Sequence, residues 1–193
     1  NDTELGEGWE EIGSAAFLST AITSIHIPAS VTSILTFAFS HNSNLAFVTF
    51  AAGSLLETIG DNAFRNTSIV SIEIPAKVIY IGTFAFFYCQ DLASVTFATG
   101  REEDALLSIK SSAFYNTAIT SIAIPATVIS IWPQAFNQCS VLASVTFAAD
   151  SVLGSIGDNA FQSTAITSII IPTSVTSIGH YAFSGASILA TVM

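Results

Sequence analysis

The sequence predicts a β-rich solenoid of about eight coils, a single unit running from residue 1 to residue 193. Three observations predict it. The dipeptide Ala-Phe recurs, with its phenylalanine at Phe17, Phe39, Phe64, Phe86, Phe114, Phe136, Phe161 and Phe183. The intervals alternate, 22, 25, 22, 28, 22, 25 and 22 residues, so the true unit is a short coil followed by a long one. Each interval carries one brief apolar–polar–apolar segment of β-branched or aromatic residues, which is the pattern of a strand with one buried face. Self-similarity at a fixed period marks stacked units, none of which can bury its own apolar face alone.

The elements follow in order around one coil. Short coils contain Ile25-His26-Ile27-Pro28, Ile72-Glu73-Ile74-Pro75, Ile122-Ala123-Ile124-Pro125 and Ile169-Ile170-Ile171-Pro172. Long coils carry Val48-Thr49-Phe50, Val95-Thr96-Phe97 and Val145-Thr146-Phe147 at the matching place. Proline ends the short-coil strand because it has no N–H to give to a ladder. Stacked at ~4.8 Å, these segments form a parallel sheet. Ile27, Phe50, Ile74, Phe97, Ile124, Phe147 and Ile171 are then expected to make one buried column, and the Ala-Phe rings a second. Gly13, Gly60, Gly82, Gly157 and Gly179 are expected at turns that need a permissive φ. Asp61 and Asp158 follow such glycines and are expected to cap a short helical turn holding Ala-Phe. All variation in coil length falls in the loop after the strand, and its longest version carries Arg101-Glu102-Glu103-Asp104. Trp9 to Gly13 align with Leu56 to Gly60, and Val192 aligns with Val145. The chain is therefore expected to be a segment of a longer array, cut within a coil at both ends.

Composition excludes several classes. The chain is 51% hydrophobic and 9% charged, which is incompatible with intrinsic disorder. Polar or breaking residues interrupt every apolar run before a membrane-spanning length, so no membrane insertion is expected. Fourteen acids against four bases give a net charge of −10, which disfavours nucleic acid as a partner. Two cysteines make no disulfide scaffold.

Segments such as Thr167-Ser168-Ile169-Ile170-Ile171-Pro172-Thr173-Ser174-Val175-Thr176-Ser177-Ile178-Gly179, followed by Ala182-Phe183, resemble the leucine-rich repeats of the BspA-like class over nearly the whole chain. The resemblance implies a right-handed leucine-rich-repeat coil with a parallel sheet on its concave face. It also implies surface display and a protein partner, such as a matrix or cell-surface protein. The sequence departs from the pattern at Leu35, Lys110 and Trp132, which stand where glycine is usual, and in its many strand phenylalanines.

No catalytic residue, metal site or cofactor site is expected. His26, His41 and His180 fall in different columns of the repeat, and no Gly-x-Ser-x-Gly, phosphate loop or His-Glu-x-x-His is present. Gly6-Glu7-Gly8 begins a dinucleotide fingerprint that residue 11 does not complete. Asp61 and Asp158 sit four coils, roughly 19 Å, apart and cannot share a proton or a metal. Cys89 and Cys139 sit two coils apart, roughly 10 Å, beyond disulfide reach, and are expected as buried free thiols. Asn1-Asp2-Thr3 and Asn66-Thr67-Ser68 match the glycosylation sequon and weakly support secretion. The acidic start at Asp2, Glu4, Glu7, Glu10 and Glu11 reads as a solvated lead-in.

Binding surface is what remains. The outward strand positions Ser24, His26, Phe47, Thr49, Ser71, Glu73, Ser94, Thr96, Ser121, Ala123, Ser144, Thr146, Ser168 and Ile170 are expected to line the concave face. Phe47 and Ile170 are its apolar exceptions, His26 and Glu73 its polar ones. Tyr80, Phe84, Phe87, Tyr88 and Tyr115 form a second, aromatic candidate, which either meets a partner or packs over the convex loops. The expected function is a non-catalytic, extracellular or cell-surface module of adhesion type that binds protein. The alternatives are a structural scaffold that associates end to end and a carbohydrate- or ice-binding repeat domain, with sheet curvature arguing against ice.

Overall fold

The computed structural model describes residues 2–6, 8–98, 108–186 and 191–192, so the charge cluster at Arg101 to Asp104 lies outside the described residues. The chain is a parallel β-solenoid of about seven turns with no helix among the described residues. Its strands are β1 Asp2–Glu4, β2 Glu11–Ile12, β3 Ser24–Ile27, β4 Ser33–Ile34, β5 Phe47–Phe50, β6 Thr58–Ile59, β7 Ser71–Ile74, β8 Tyr80–Ile81 and β9 Ser94–Phe97. They continue as β10 Ser108–Ile109, β11 Ser121–Ile124, β12 Ser130–Ile131, β13 Ser144–Phe147, β14 Ser155–Ile156, β15 Ser168–Ile169, β16 Ser177–Ile178 and β17 Thr191–Val192. Odd-numbered strands build one wall. Even-numbered strands build a second, an unbroken eight-stranded parallel sheet from β2 to β16.

The core between the walls is a stack of rings. Phe39, Phe64, Phe86, Phe114, Phe136 and Phe161 are fully buried. Successive Ala-Phe rings from Phe17 to Phe183 lie 5.1–5.4 Å apart and within 2–10° of parallel. Near-parallel planes at this centroid separation are offset-stacked, a geometry aromatic pairs favour over a face-to-face sandwich. The coil spacing imposes it, and burial supplies the stabilisation, roughly 1.5–3 kcal/mol per ring. Phe17 and Phe183, at the two ends of the stack, are only partly buried.

The Ala-Phe turn is not the expected helical turn. Among the described residues, fifteen non-glycine residues have φ between 53° and 61°, and they sit two residues before and two after each Ala-Phe phenylalanine, Gly185 completing the set. Left-handed residues alternating with right-handed ones point every second N–H along the stack. Phe37, Phe39 and His41 donate to the carbonyls of Asp61, Ala63 and Arg65 in the next coil at 3.0, 2.8 and 2.8 Å. The intervening Ala38 and Ser40 donate three residues back, to Leu35 and Phe37. The turn thus forms a third hydrogen-bonded seam, which satisfies backbone groups that burial would otherwise orphan.

The five glycines expected at permissive φ have none; the positive-φ glycines are Gly8, Gly53 and Gly185. Proximity explains four of the five instead. A Cβ on Gly60 would stand 2.8 Å from the Ile34 carbonyl oxygen, one on Gly82 2.6 Å from the Asp61 nitrogen and one on Gly157 2.5 Å from the Pro133 nitrogen; one on Gly179 would meet Asp158. At Gly13 such an atom would meet nothing. The non-glycine residues of this column keep the same inter-coil bond, as Leu35 donates to Ile12, Lys110 to Ile81 and Trp132 to Ile109. Lys110 Nζ lies 3.9 Å from the Trp132 ring centroid and 5.5 Å from that of Tyr80, which joins three coils on the surface.

The expected continuous strand column is corrected as well. Ile27, Ile74 and Ile124 are buried, whereas Phe50, Phe97, Phe147 and Ile171 are only partly so. The cause is proline. From each complete short-coil strand to the long coil after it, all four residues pair, ending at Ile27 with Phe50, Ile74 with Phe97 and Ile124 with Phe147. The next residue then extends the ladder, as Ala51 and Ala98 donate to Ile27 and Ile74 at 2.9 Å. In the short coils that next residue is Pro28, Pro75, Pro125 or Pro172, which has no N–H to return. Pairing into these coils therefore stops early. It ends at Glu4 with His26 between β1 and β3, reaches only Phe47 with Ser71 between β5 and β7, and is lost between β9 and β11 and between β13 and β15. The long-strand wall consequently thins to a single pair between β5 and β7 and breaks between β9 and β11 and between β13 and β15, and β15 ends at Ile169, short of the expected Ile171.

Two outcomes are expected in denaturant titrations. Phe114→Ala removes a fully buried ring from the middle of the stack and should cost about 3–5 kcal/mol, with Phe183→Ala, at the half-buried end, costing clearly less. Gln138→Gly, at an exposed left-handed position, should gain about 0.5 kcal/mol, because relief of an αL penalty of about 1–2 kcal/mol outweighs the added chain entropy.

Candidate functional site

In a repeat array, buried and turn positions are dictated by stacking, so surface residues that depart from the repeat are the informative ones. The outer face of the long-strand wall has two such columns. The first reads Ser24, Phe47, Ser71, Ser94, Ser121, Ser144 and Ser168, with Phe47 the exception. The second reads His26, Thr49, Glu73, Thr96, Ala123, Thr146 and Ile170. All fourteen are exposed except Ser24, which is half-buried. Phe47 and Ile170 are 62% and 68% exposed, uncommon for large apolar side chains.

Three of the departures are neighbours at one end of this face, while Ala123 and Ile170 lie farther along it. His26, Phe47 and Glu73 stand on the consecutive strands β3, β5 and β7. His26 Nδ1 lies 2.8 Å from Thr49 Oγ1, and Phe47 is in register with Ser24 on one side and Ser71 on the other. Beside them, where Pro75 opens the wall, is a groove of about 850 Å³ lined by Thr49, Phe50, Ser54, Ser71, Glu73 and Lys77 among others. A second groove of about 750 Å³ occupies the equivalent place around Phe97, Pro125 and Phe147, with no charged residue among its described lining. Lys77 stands in the column Ser30, Lys77, Thr127 and Ser174. The sequence reasoning missed it, although that column alone marks it as a departure.

The aromatic candidates divide. Phe84 and Phe87 meet edge to face at 5.1 Å, and Phe87 packs on Tyr88 and Tyr115 at 4.6 and 4.9 Å. Arg65 covers Phe87, with its guanidinium carbon 4.9 Å from the ring centroid. Phe87 is thus occupied on two sides, and Tyr88 is the ring most open to solvent, at 40%. Phe84 and Tyr88 occupy the left-handed turn positions. The structure places Tyr80 apart from this patch, on β8, where its hydroxyl donates to Asp61 Oδ1 at 3.2 Å. Burial, and secondarily the Asp61 charge, push the Tyr80 pKa up.

The acidic and thiol candidates are structural. Asp61 and Asp158 cap no helix. Their Oδ1 atoms accept the backbone N–H of Thr83 at 2.8 Å and of His180 at 2.7 Å, each in the following coil. Among the described residues no group of three His, Cys, Asp or Glu side chains could hold a metal ion. Cys89 and Cys139 are free and buried. They belong to a polar column that serves the Ala-Phe carbonyls. Thr67 and Cys89 both donate to the Phe64 carbonyl, at 2.9 and 3.0 Å, and Thr117 and Cys139 both donate to that of Phe114, at 3.1 Å. Asn42 plays the same part, donating to Phe17 and Phe39 at 2.7 and 2.8 Å. Burial pushes the Cys89 thiol up to about 11 and raises Cys139 as well.

The repeat units seen in this geometry match a family description, the BspA type leucine rich repeat region, in six copies over residues 10–105 and 107–193. The chain belongs to that family. The BspA-type chain is similar to a leucine-rich repeat protein from Bacteroides ovatus, with 28% identity and a TM-score of 0.83 over 99% of this chain and 48% of that one. It is also similar to a leucine rich cell surface protein from Faecalibacterium prausnitzii, with 26% identity and a TM-score of 0.56 over 90% of this chain and 61% of that one. It shares its fold with the pneumococcal vaccine antigen PcpA, at 21% identity and a TM-score of 0.50 over 91% of this chain and 65% of that one. The BspA-type chain spans about half the length of the Bacteroides ovatus protein. No curated protein matches it.

The thiols of this BspA-type chain should be inert to Ellman's reagent at pH 8 in the native state and both react in denaturant, because each is buried and protonated there. A folded pKa above the unfolded value, about 11 against 9.0 for Cys89, favours folding fully below pH 9. That contribution is lost as pH rises toward about 11, so the denaturation midpoint should fall over that window, and less so in Cys89→Ser.

Proposed function

We propose that this chain is a non-catalytic protein-interaction module of adhesion type, displayed outside the cell, that binds its partner on the outer face of the long-strand wall around Phe47. The observation that carries the reading is the neighbourhood of His26, Phe47 and Glu73 on three consecutive strands of an exposed face rich in Ser and Thr, with Phe47 alone interrupting a column of serines. The fold has no need of a phenylalanine at 62% exposure, whereas exposed aromatic anchors are what binding surfaces use. A name that includes the words cell surface in one relative, and vaccine antigen in a protein sharing the fold, support the location. The family is typically non-catalytic.

The test is selection of a phage-displayed peptide library on the chain. Selected peptides should lose about tenfold or more in affinity on Phe47→Ser, while Phe87→Ser with Tyr88→Ser, on the turn face, leaves affinity within twofold. Phe47→Ser should shift stability by about 0.5 kcal/mol at most, as an exposed substitution. Peptides indifferent to Phe47 would overturn the reading.

A further inference from the structure

Among the described residues, the two grooves opened by proline repeat the same geometry one coil pair apart, yet only the first carries charge. Glu73 stands in a column whose other members are His26, Thr49, Thr96, Ala123, Thr146 and Ile170, and Lys77 in one otherwise made of Ser30, Thr127 and Ser174. Stacking therefore demands neither charge. Glu73 is exposed and Lys77 half-buried, and no salt bridge joins them. Two opposite charges left unpaired at one groove, on a chain that is only 9% charged, present a fixed electrostatic pattern. Between them lie the uncharged Ile74, Pro75 and Ala76, and across the groove is the half-buried ring of Phe50.

Resting on the protein-binding reading above, we infer that this groove takes an extended polypeptide segment of the partner that carries a cationic side chain, an apolar side chain and a carboxylate in succession. The cation faces Glu73, the apolar side chain packs against the edge of Phe50 between the charges, and the carboxylate faces Lys77. Complementary charge fixes the register of such a segment, and a like charge in either place is rejected. The groove volume of about 850 Å³ is of the size that holds a few residues.

The experiment uses the peptides selected from the phage-displayed library. Those that depend on Phe47 should share a basic–apolar–acidic succession. In synthetic copies, replacing the basic residue by glutamine should weaken binding to the natural chain about five- to tenfold and have no further effect on Glu73→Gln. Replacing the acidic residue should behave likewise against Lys77→Gln. Both substitutions lie on the surface, so circular dichroism and the melting temperature should be unchanged. Phe47-dependent peptides without the charge succession, or charge effects that persist in Glu73→Gln and Lys77→Gln, overturn this inference and leave the protein-binding face standing. Failure to select any Phe47-dependent peptide overturns both.

Discussion

Each Ala-Phe turn from Phe17 to Phe161 donates three backbone N–H groups to the coil that follows it, and its phenylalanine stacks on the next one. These two contacts depend on one another. Rings can stack at 5.1–5.4 Å only if the turns are held at the strand spacing. The turns can bury their backbone only because alternating left- and right-handed residues aim every second N–H along the stack. The cost is local strain at non-glycine residues, including Phe37, Phe84 and Tyr88, which only a stack that over-determines the turn could sustain. Threonine, asparagine or cysteine three residues on satisfies the phenylalanine carbonyls that this seam leaves over.

The long-strand wall obeys a different constraint. The even-numbered wall runs unbroken, while the odd-numbered wall thins to one pair at the strand before Pro75 and breaks at those before Pro125 and Pro172. A single missing N–H per coil pair is enough, because the strands are only four residues long and lose their last ladder bond. The opening leaves the strand-end phenylalanines half-buried and creates the grooves. The same residue that ends the strand in the sequence thus shapes the surface on which a partner is proposed to dock. Charge and exposed aromatics are then free to vary there, since nothing in the stack depends on them.

Much of this was legible in the sequence. The Ala-Phe period gives the coils, and the apolar–polar alternation gives the strands with their outward residues, because solenoid contacts are nearly all between equivalent positions of neighbouring coils. The cysteines followed by the same logic, since a shared column two coils apart puts them beyond disulfide reach. Phe47, His26 and Glu73 could be singled out as departures without coordinates. Tertiary structure decided what depends on backbone direction and distance. Left-handed φ at Ala15, Gln134 or Tyr181 has no signature in those residue types, although asparagine at positions 62, 66, 116 and 159 hinted at it. The close approach that excludes a side chain at Gly60 or Gly157 arises only once one coil lies on another. The groove, with Glu73 and Lys77 on its lining either side of Pro75, likewise appears only once one coil lies on another.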